Sequence, residues 1–600
     1  MTRQTGETDL DPIRHSLAHL LAAAVLKKYP EAKLGVGPTI DNGFYYDFVL
    51  PESVTPDDLK GFEKDMRGMI YAKLPISGEA ITPAKAKTLF KKQPFKLELI
   101  KDLTKPRRKV VGAPTEASED KKQLTIYKTG DIFTDLCRGG HVLNTSEINP
   151  ESFKLDKIAG AYWRGDEKNQ QTQRIYGLAF ATKQELEDFI KLREEAEKRD
   201  HRKLGKELGL FTISDEVGPG LPLFYPKGAL LRREIENLIA ELQERRGYEA
   251  IWIPHITKGE LYKISGHLDK YDAMYPPMHL KGEDAYYLKP MNCPHFMMLY
   301  KSTPHSYREL PVRWTATTTN YRHEKSGELS GLTRVRALTQ DDCHVFVRPD
   351  QIEAEINLML DMVEEVYGIF GFKNFWVRIS THDETNKEAY IGDPKTWQES
   401  EAALKKLVEA RGWRHEVGVG EAAFYGPKLD FMFKDALGRE WQLSTIQLDM
   451  NLPARFNLDY TGEDGSKKQP VLIHRAILGS TERFLGILIE HFAGAFPLWL
   501  SPVQARVLAV SDKHIGYARN VYEKLRERGI RTELAPADET LGKRIREAQL
   551  AKIPYTLVVG DREAEAQTVS VRHFVKGDLG AVALADLSEK MSGEIKSRAL

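Results

Sequence analysis

Six hundred residues allow about four domains by the usual length prior, and 87 Lys+Arg balanced by 87 Asp+Glu exclude a polycation, so any nucleic-acid surface has to be a local patch. Three cysteines, Cys137, Cys293 and Cys343, exclude a disulfide framework in a chain this long and fit a reducing compartment. The opening MTRQTGETDLDPIRHS lacks the apolar run of a secretion signal and no stretch reaches the length of a membrane span, so the expectation is a cytoplasmic protein without membrane contact.

In chain order, DPIRHSLAHLLAAAVLKKY predicts a helix with Asp11 as cap, Pro12 at its first position and an apolar stripe through Leu17, Leu20, Leu21 and Ala24. His15 and His19 are four apart and share a face. In NGFYYDF, Asn42-Gly43 predicts a hairpin turn before a strand. DLCRGGHVLN sets Cys137 and His141 around two glycines, a loop on which side chains and backbone can converge. With the histidine pair this makes a metal site, a metal-free catalytic site or plain structure, since the spacing of a structural zinc motif is absent. Lys183 to about Leu208 is helical in composition and charged on most faces, the pattern of a solvated connector, with a basic cluster from Arg199 to Lys206.

After Gly209 comes a large region with aromatic strands: LLRREIENLIAELQERRGYEAIWIP, a helix running into a strand that ends at Pro254, then LKPMNCPHFMMLY, and a long helix from Asp350 to about Phe370. Between them, Tyr321 to Arg348 predicts an antiparallel hairpin, with a strand to Glu324, a turn through Lys325-Ser326-Gly327 and a return strand from Leu332. Alternation along that return puts Arg334, Arg336, Gln340, Asp342 and His344 on one side with Leu338 between them. A row so polar is not a core face, and guanidinium forks at Arg322 and Arg334 beside Glu324 suit phosphate. Those residues alone predict a nucleotide platform. From Ser501-Pro502 the order strand, helix, strand, helix, strand, strand, helix predicts a separate α/β domain with a mixed sheet.

Taken together, Arg322 and Glu324 on the hairpin, Gly479-x3-Arg483 at a helix start and the helix-strand ending at Pro254 resemble the three motifs of class II aminoacyl-tRNA synthetases. MNCP, TRVRALTQDD, AFYGPK, TIQLD and HRAILGS resemble the threonyl-tRNA synthetase family, and HSLAHLL, NGFYYD, DLCRGGH and GAYWRGD resemble its editing domain. The resemblance implies an α/β multidomain chain: an α+β editing domain over 1–182, a helical linker over 183–208, a class II antiparallel-sheet catalytic domain over 209–500 and an α/β anticodon-binding domain with a mixed sheet over 501–600.

It further implies the site. Cys293, His344 and His474 match three zinc ligands, and Asp342 the acceptor for the substrate hydroxyl. Arg322 and Arg483 match the arginines that grip ATP phosphates, Glu324 the residue facing adenine, and Arg334 and Gln340 further nucleotide contacts, with Mg2+ accompanying ATP; Tyr425, Lys428 and Gln447 match the lining of the amino-acid pocket. His15, His19, Cys137 and His141 match the editing cluster, with Lys96, Asp135 and Tyr46 beside it, and Glu563 and Arg572 fall where base contacts are expected. Implied partners are tRNA(Thr), ATP, L-threonine and a second copy of the chain. A related synthetase for serine or alanine, and a non-catalytic RNA-binding regulator, are the alternatives; the presence of both motif arginines speaks against the regulator. Departures from the family pattern are the absence of a further small domain before His15, the TATTTN stretch at Thr315 to Asn320, Ser444 in place of glycine and Gly140 in place of proline. Ser444 is expected to narrow the pocket and Gly140 to loosen His141.

Overall fold

The computed structural model describes residues 9–104 and 123–600 apart from 167, 283, 436 and 437; the first eight residues, read above as lacking a leader, lie outside this set. The chain forms two compact units, Met1–Glu194 and Glu195–Leu600.

In the first unit, helix α1 (Asp11–Lys28) buries Leu17, Leu20, Leu21 and Ala24 as its periodicity predicts, but Asp11 is its first residue and Leu10 stands at the cap position. Strand β1 (Gly43–Val49) follows a turn at Asp41-Asn42, because Gly43 is already paired with Ile40. Gly43 is needed there: a Cβ would lie 1.9 Å from the carbonyl oxygen of Gly177. Helix α2 (Pro56–Tyr71), strand β2 (Ile76–Ile81), helix α3 (Pro94–Leu103) and strands β3 (Leu124–Thr129), β4 (Phe133–Leu136), β5 (Phe153–Tyr162) and β6 (Gln171–Ala179) are the main elements that follow. Among the described residues β1, β6 and β5 lie in that order in a five-stranded sheet whose other two strands are the short segments Lys33–Leu34 and Thr39–Ile40, and β2-β3-β4 form a three-stranded sheet.

The predicted connector is two helices, α4 (Lys183–Arg199) and α5 (His201–Glu207), because Asp200 caps a new start by accepting the N–H of Arg202. Only Leu186 is buried on α4, the solvated pattern expected, whereas α5 buries His201, Leu204 and Gly205 and belongs to the second unit's core. That unit continues through α6 (Pro226–Glu244), β7 (Glu249–Ala250), α7 (Cys293–Lys301), β8 (Val312–Tyr321), β9 (Ala337–Val347), α8 (Ile352–Phe370), β10 (Phe375–Thr381), β11 (His415–Val419), β12 (Lys428–Lys434), β13 (Glu440–Asp449), β14 (Val471–Ala476) and α9 (Thr481–His491). Its sheet runs β7-β8-β9-β14-β13-β12-β10-β11, with the central pairings antiparallel, over one large apolar cluster.

The hairpin is shorter than predicted. Strand β8 ends at Tyr321 and the return starts at Ala337, not Leu332, because the intervening backbone is spent locally: Thr333 and Arg334 donate to Ser330, and Arg336 to Gly220. Beyond α9, strands β15 (Ala505–Ala509) and β16 (Thr532–Leu534), helices α10 (Ile515–Glu527) and α11 (Leu541–Leu550), strand β17 (Tyr555–Val559), helix α12 (Asp561–Ala566), strands β18 (Thr568–His573) and β19 (Gly577–Ala583) and helix α13 (Leu584–Lys596) build the predicted mixed sheet, in order β16-β15-β17-β18-β19 around its own apolar cluster. Helix α12 and strand β19 were not predicted; each is short and largely exposed, so neither leaves an apolar period in the sequence.

Candidate active site and histidine–cysteine cluster

The register of the central strands decides what the large cavity contains. His344 on β9 lies opposite His474 on β14, His474 opposite Gln447 on β13, and Gln447 opposite Lys428 on β12. Four strands therefore present one transverse row of polar side chains, and alternation adds Gln340 and Asp342 beside it. The cavity, about 290 Å3, is lined by Cys293, Arg322, Glu324, Arg334, Gln340, Asp342, Tyr425, Lys428, Gln447, His474 and Arg483, with Leu338 among them as alternation requires. Arg336 leaves the row: it precedes the strand, and its guanidinium donates to the carbonyl of Glu324, bracing the hairpin turn. Cys343 points to the opposite, apolar face.

At one end Cys293, His344 and His474 are buried and bring their ligand atoms within 4.8 Å of one another. His344 Nε2 and His474 Nδ1 are 3.0 Å apart, and His474 Nε2 lies 3.0 Å from the buried Asp449 carboxylate. That contact makes Nε2 the protonated nitrogen and turns the lone pair of Nδ1 into the triad. Burial drives the Cys293 thiol well above its ordinary value and the His344 imidazole well below its own. One sulfur and two imidazoles, with His344 Nδ1 buried and, among the described residues, lacking a hydrogen-bond partner, are a donor set suited to a borderline-soft cation. Asp342 stands beside it, pushed up to about 6 by burial, with Asn292 donating to Oδ2 at 2.8 Å. Asn292 is held in turn by buried Lys289, whose ammonium also reaches the Thr318 hydroxyl at 2.8 Å.

At the other end the charges are guanidinium groups. Arg483 donates through Nε to the Thr333 carbonyl at 2.9 Å, and burial together with the charges of Arg322 and Arg334 lowers its proton affinity. Such crowding of like charge suits an anion. Arg334 is paired with Glu324 at 2.7 Å and Glu328 at 2.9 Å; Gln340 is fixed by Asn320 and the Gly479 carbonyl. Tyr425 donates to Gln447 at 2.6 Å, and Lys428 pairs with buried Asp430. Ser444 does not narrow the cavity. It lies on the other face of β13, where its hydroxyl donates to the Ile477 carbonyl at 2.6 Å and meets Tyr367.

In the first unit His15, His19, Cys137 and His141 bring their ligand atoms within the same 4.8 Å limit. Cys137 Sγ lies 3.4 Å from His15 Nε2 and 3.2 Å from His141 Nε2, and the His15 and His141 rings stack at 4.0 Å. Burial lowers all three imidazoles, His141 to about 2, and raises the thiol. Behind His19, Asp135 accepts from Tyr46 and Lys96, each at 2.5 Å, and sits 3.9 Å from His19 Nε2. Gly140 has φ +83°, which proline cannot adopt and glycine adopts without strain, so this loop form excludes the proline. In the last domain Glu563 accepts the N–H of Gly560 at the start of α12, and Arg572 on β18 reaches Asp578 at 3.4 Å. Lys289, Asn292 and Asp449 escaped sequence reading, although all lie inside or beside the strings LKPMNCP and TIQLD that it quoted.

The fold and the cavity define a class II aminoacyl-tRNA synthetase. Residues 278–492 match the class II core domain shared by the G, H, P, S and T synthetases, residues 504–594 the anticodon-binding domain, and residues 124–176 the second additional domain of threonyl and alanyl tRNA synthetases. Among curated proteins the chain is 48% identical to a threonine–tRNA ligase of Gloeobacter violaceus, over 98% of this chain and 94% of the other, and 45% identical to one of Synechococcus elongatus, over 100% and 97%. Among solved structures, the RNA binding domain of threonyl-tRNA synthetase from Cryptosporidium parvum is 39% identical, with a TM-score of 0.63, covering 66% of this chain and 98% of that one. A Giardia lamblia prolyl-tRNA synthetase at 16% identity and a TM-score of 0.54, covering 68% and 82%, shares the fold. The chain belongs to the threonine–tRNA ligase family.

Proposed function

We propose that the large cavity activates L-threonine with ATP and passes it to the 3′ end of tRNA(Thr), and that the histidine–cysteine cluster hydrolyses seryl-tRNA(Thr). In this reading residues 1–182 form the editing domain, 183–208 the linker, 209–500 the catalytic domain and 501–600 the anticodon-binding domain, with Glu563 and Arg572 near the bases.

The observation that carries the reading is one row of side chains joining a guanidinium-rich end to a triad of two imidazoles and a thiol. ATP, as its magnesium complex, is gripped by Arg322 and Arg483 through its phosphates, with Glu324 on adenine and Arg334 and Gln340 completing the nucleotide contacts. Activation is in-line attack of a carboxylate on the α-phosphorus, so positive charge fixed where negative charge develops is the main demand. Cys293, His344 and His474 would hold a zinc ion, which supplies a Lewis-acid position for the amine and hydroxyl of the substrate. Asp342, oriented by Asn292, accepts a hydrogen bond from the substrate hydroxyl; Tyr425, Lys428 and Gln447 line the remainder of the pocket.

Valine has no hydroxyl and leaves these groups unsatisfied, a rejection on the order of 10^4–10^5 for sites of this kind. Serine differs by one methyl, worth only about 1–3 kcal/mol, so a second sieve is needed. In the editing cluster neutral His15, His19 and His141 with Cys137 position water and the seryl ester, while Tyr46, Lys96 and Asp135 brace His19. A homodimer is supported by β7 at the edge of the large sheet, followed by Trp252, 80% exposed. A cytoplasmic enzyme accords with the helices, none of which, among the described residues, is long and apolar enough to cross a membrane. The test is amino-acid-dependent ATP–pyrophosphate exchange with threonine, serine, valine and alanine side by side. Threonine is expected to lead, with serine the strongest competitor. A preference for alanine, or no exchange with any, refutes the reading.

A further inference from the structure

A third histidine cluster, outside both sites, joins Asp200, His201 and Glu490. His201 is buried on α5 and engages its backbone N–H and both ring nitrogens. Its backbone N–H and its Nδ1 both meet Glu490 Oε1, at 3.1 and 2.7 Å, while Nε2 accepts the buried N–H of Leu332 at 3.0 Å. A carboxylate on one side and an amide N–H on the other leave one tautomer, protonated at Nδ1. Because both ring nitrogens are committed, the cluster is a clasp rather than a metal site.

What it clasps are the two segments that carry the arginines. Leu332 immediately precedes Thr333, whose carbonyl accepts Arg483 Nε, and Arg334, which lines the cavity. Glu490 is on α9, two turns beyond Arg483 and on the same side of that helix. Gly486, between them, packs against Leu332, Thr333 and His201, where a Cβ would sit 3.3 to 3.6 Å from all three. Gly331 has φ +50°, and a Cβ there would fall 2.2 Å from His201 Nε2, so the loop approaches the imidazole as closely as only glycine permits.

We propose that His201 is a positioning residue for the nucleotide end of the reaction, holding the Leu332 segment and helix α9 at the one spacing that brings Arg334 and Arg483 into the same cavity. The inference rests on the reading of those arginines as nucleotide contacts. By bond count from Cβ, a glutamine amide reaches the place of Nε2 and an asparagine amide that of Nδ1. His201→Gln therefore keeps an acceptor for Leu332, and His201→Asn keeps only the partner of Glu490.

ATP–pyrophosphate exchange on the full chain, with KM for ATP and for threonine measured separately, decides it. Losing one buried acceptor is expected to lower kcat/KM for ATP about 5- to 150-fold in His201→Asn, following the usual penalty for an orphaned donor. KM for threonine should stay within about twofold and His201→Gln should recover most of the loss, while amide hydrogen exchange of the Leu332 segment speeds up in His201→Asn alone. If His201→Asn does not fold, Gly331→Ala displaces the same imidazole from the loop side and must give the same split. Equal losses in the two His201 variants, a parallel shift in threonine KM, or unchanged ATP kinetics overturns the clasp. Arg483→Lys is run alongside: if it leaves KM for ATP untouched, the nucleotide role of the arginine fails, whatever the His201 variants do.

Discussion

If His474 is the zinc ligand proposed above, Asp449→Asn should turn it into a non-ligand without altering the triad's own residues. Asp449 accepts three hydrogen bonds, from the N–H groups of Asn451 and Leu452 at 2.9 Å each through Oδ1, and from His474 Nε2 at 3.0 Å through Oδ2. Asparagine has a single acceptor, and the two backbone donors claim it. Its NH2 must then face His474, so Nε2 becomes an acceptor and the ring proton moves to Nδ1, the atom that faces His344 and Cys293. Loss of such a partner typically lowers metal affinity about 10- to 100-fold, or about 1.4 to 2.7 kcal/mol. Competition with a chromophoric zinc chelator at neutral pH measures this on the purified protein, and threonine-dependent exchange should fall in step at limiting zinc. Unchanged zinc affinity in the folded variant would refute both the tautomer argument and the assignment of His474 as a ligand.

Three further outcomes follow from the first unit. His15→Ala should leave threonine-dependent exchange intact while seryl-tRNA(Thr) survives longer in a deacylation assay; an unchanged seryl-tRNA lifetime defeats the editing assignment. Lys96→Met strands the Asp135 carboxylate in a buried site, which typically costs about 3–5 kcal/mol, whereas pairing it with Asp135→Leu should return most of the loss; calorimetry of both variants tests this, and a single variant as stable as wild type counts against the buried pair. His15, His19 and His141 all have lowered proton affinity, so between the ordinary histidine range and about 2 the unfolded chain binds more protons than the folded one. Stability of this unit should therefore hold above about pH 6.5 and fall progressively below it. A flat denaturant midpoint from neutral pH to pH 4 excludes that linkage.

Much of the site was readable because alternation is local. Leu338, Gln340, Asp342 and His344 share a face as period two demands, and the same rule carried Cys343 into the core. Arg336 escaped the rule because the strand begins one residue later, where backbone bonds to Gly220 and Ser330 give way to the ladder. Ser444 was misjudged because the same rule was not applied to it: it stands three residues from Gln447 on β13, an odd spacing that puts it on the other face. Charge pattern was a weaker guide. The run from Lys183 to Leu208 reads as one solvated helix, yet its second helix buries His201, Leu204 and Gly205, since the composition of a basic stretch does not reveal that a single histidine inside it is bonded at both nitrogens. Cross-strand pairing, which puts His474 beside His344 across 130 residues, leaves no local trace at all.

The transverse row has a consequence for what this sheet can tolerate. Lys428, Gln447, His474 and His344 sit in one line only because each strand is paired at one register. The loops between those strands can lengthen or shorten without moving any of the four. A single residue gained or lost within a strand, by contrast, would turn its member of the row into the apolar core. The physical tolerance is therefore uneven: the connections can absorb a change of length, and the four strands cannot.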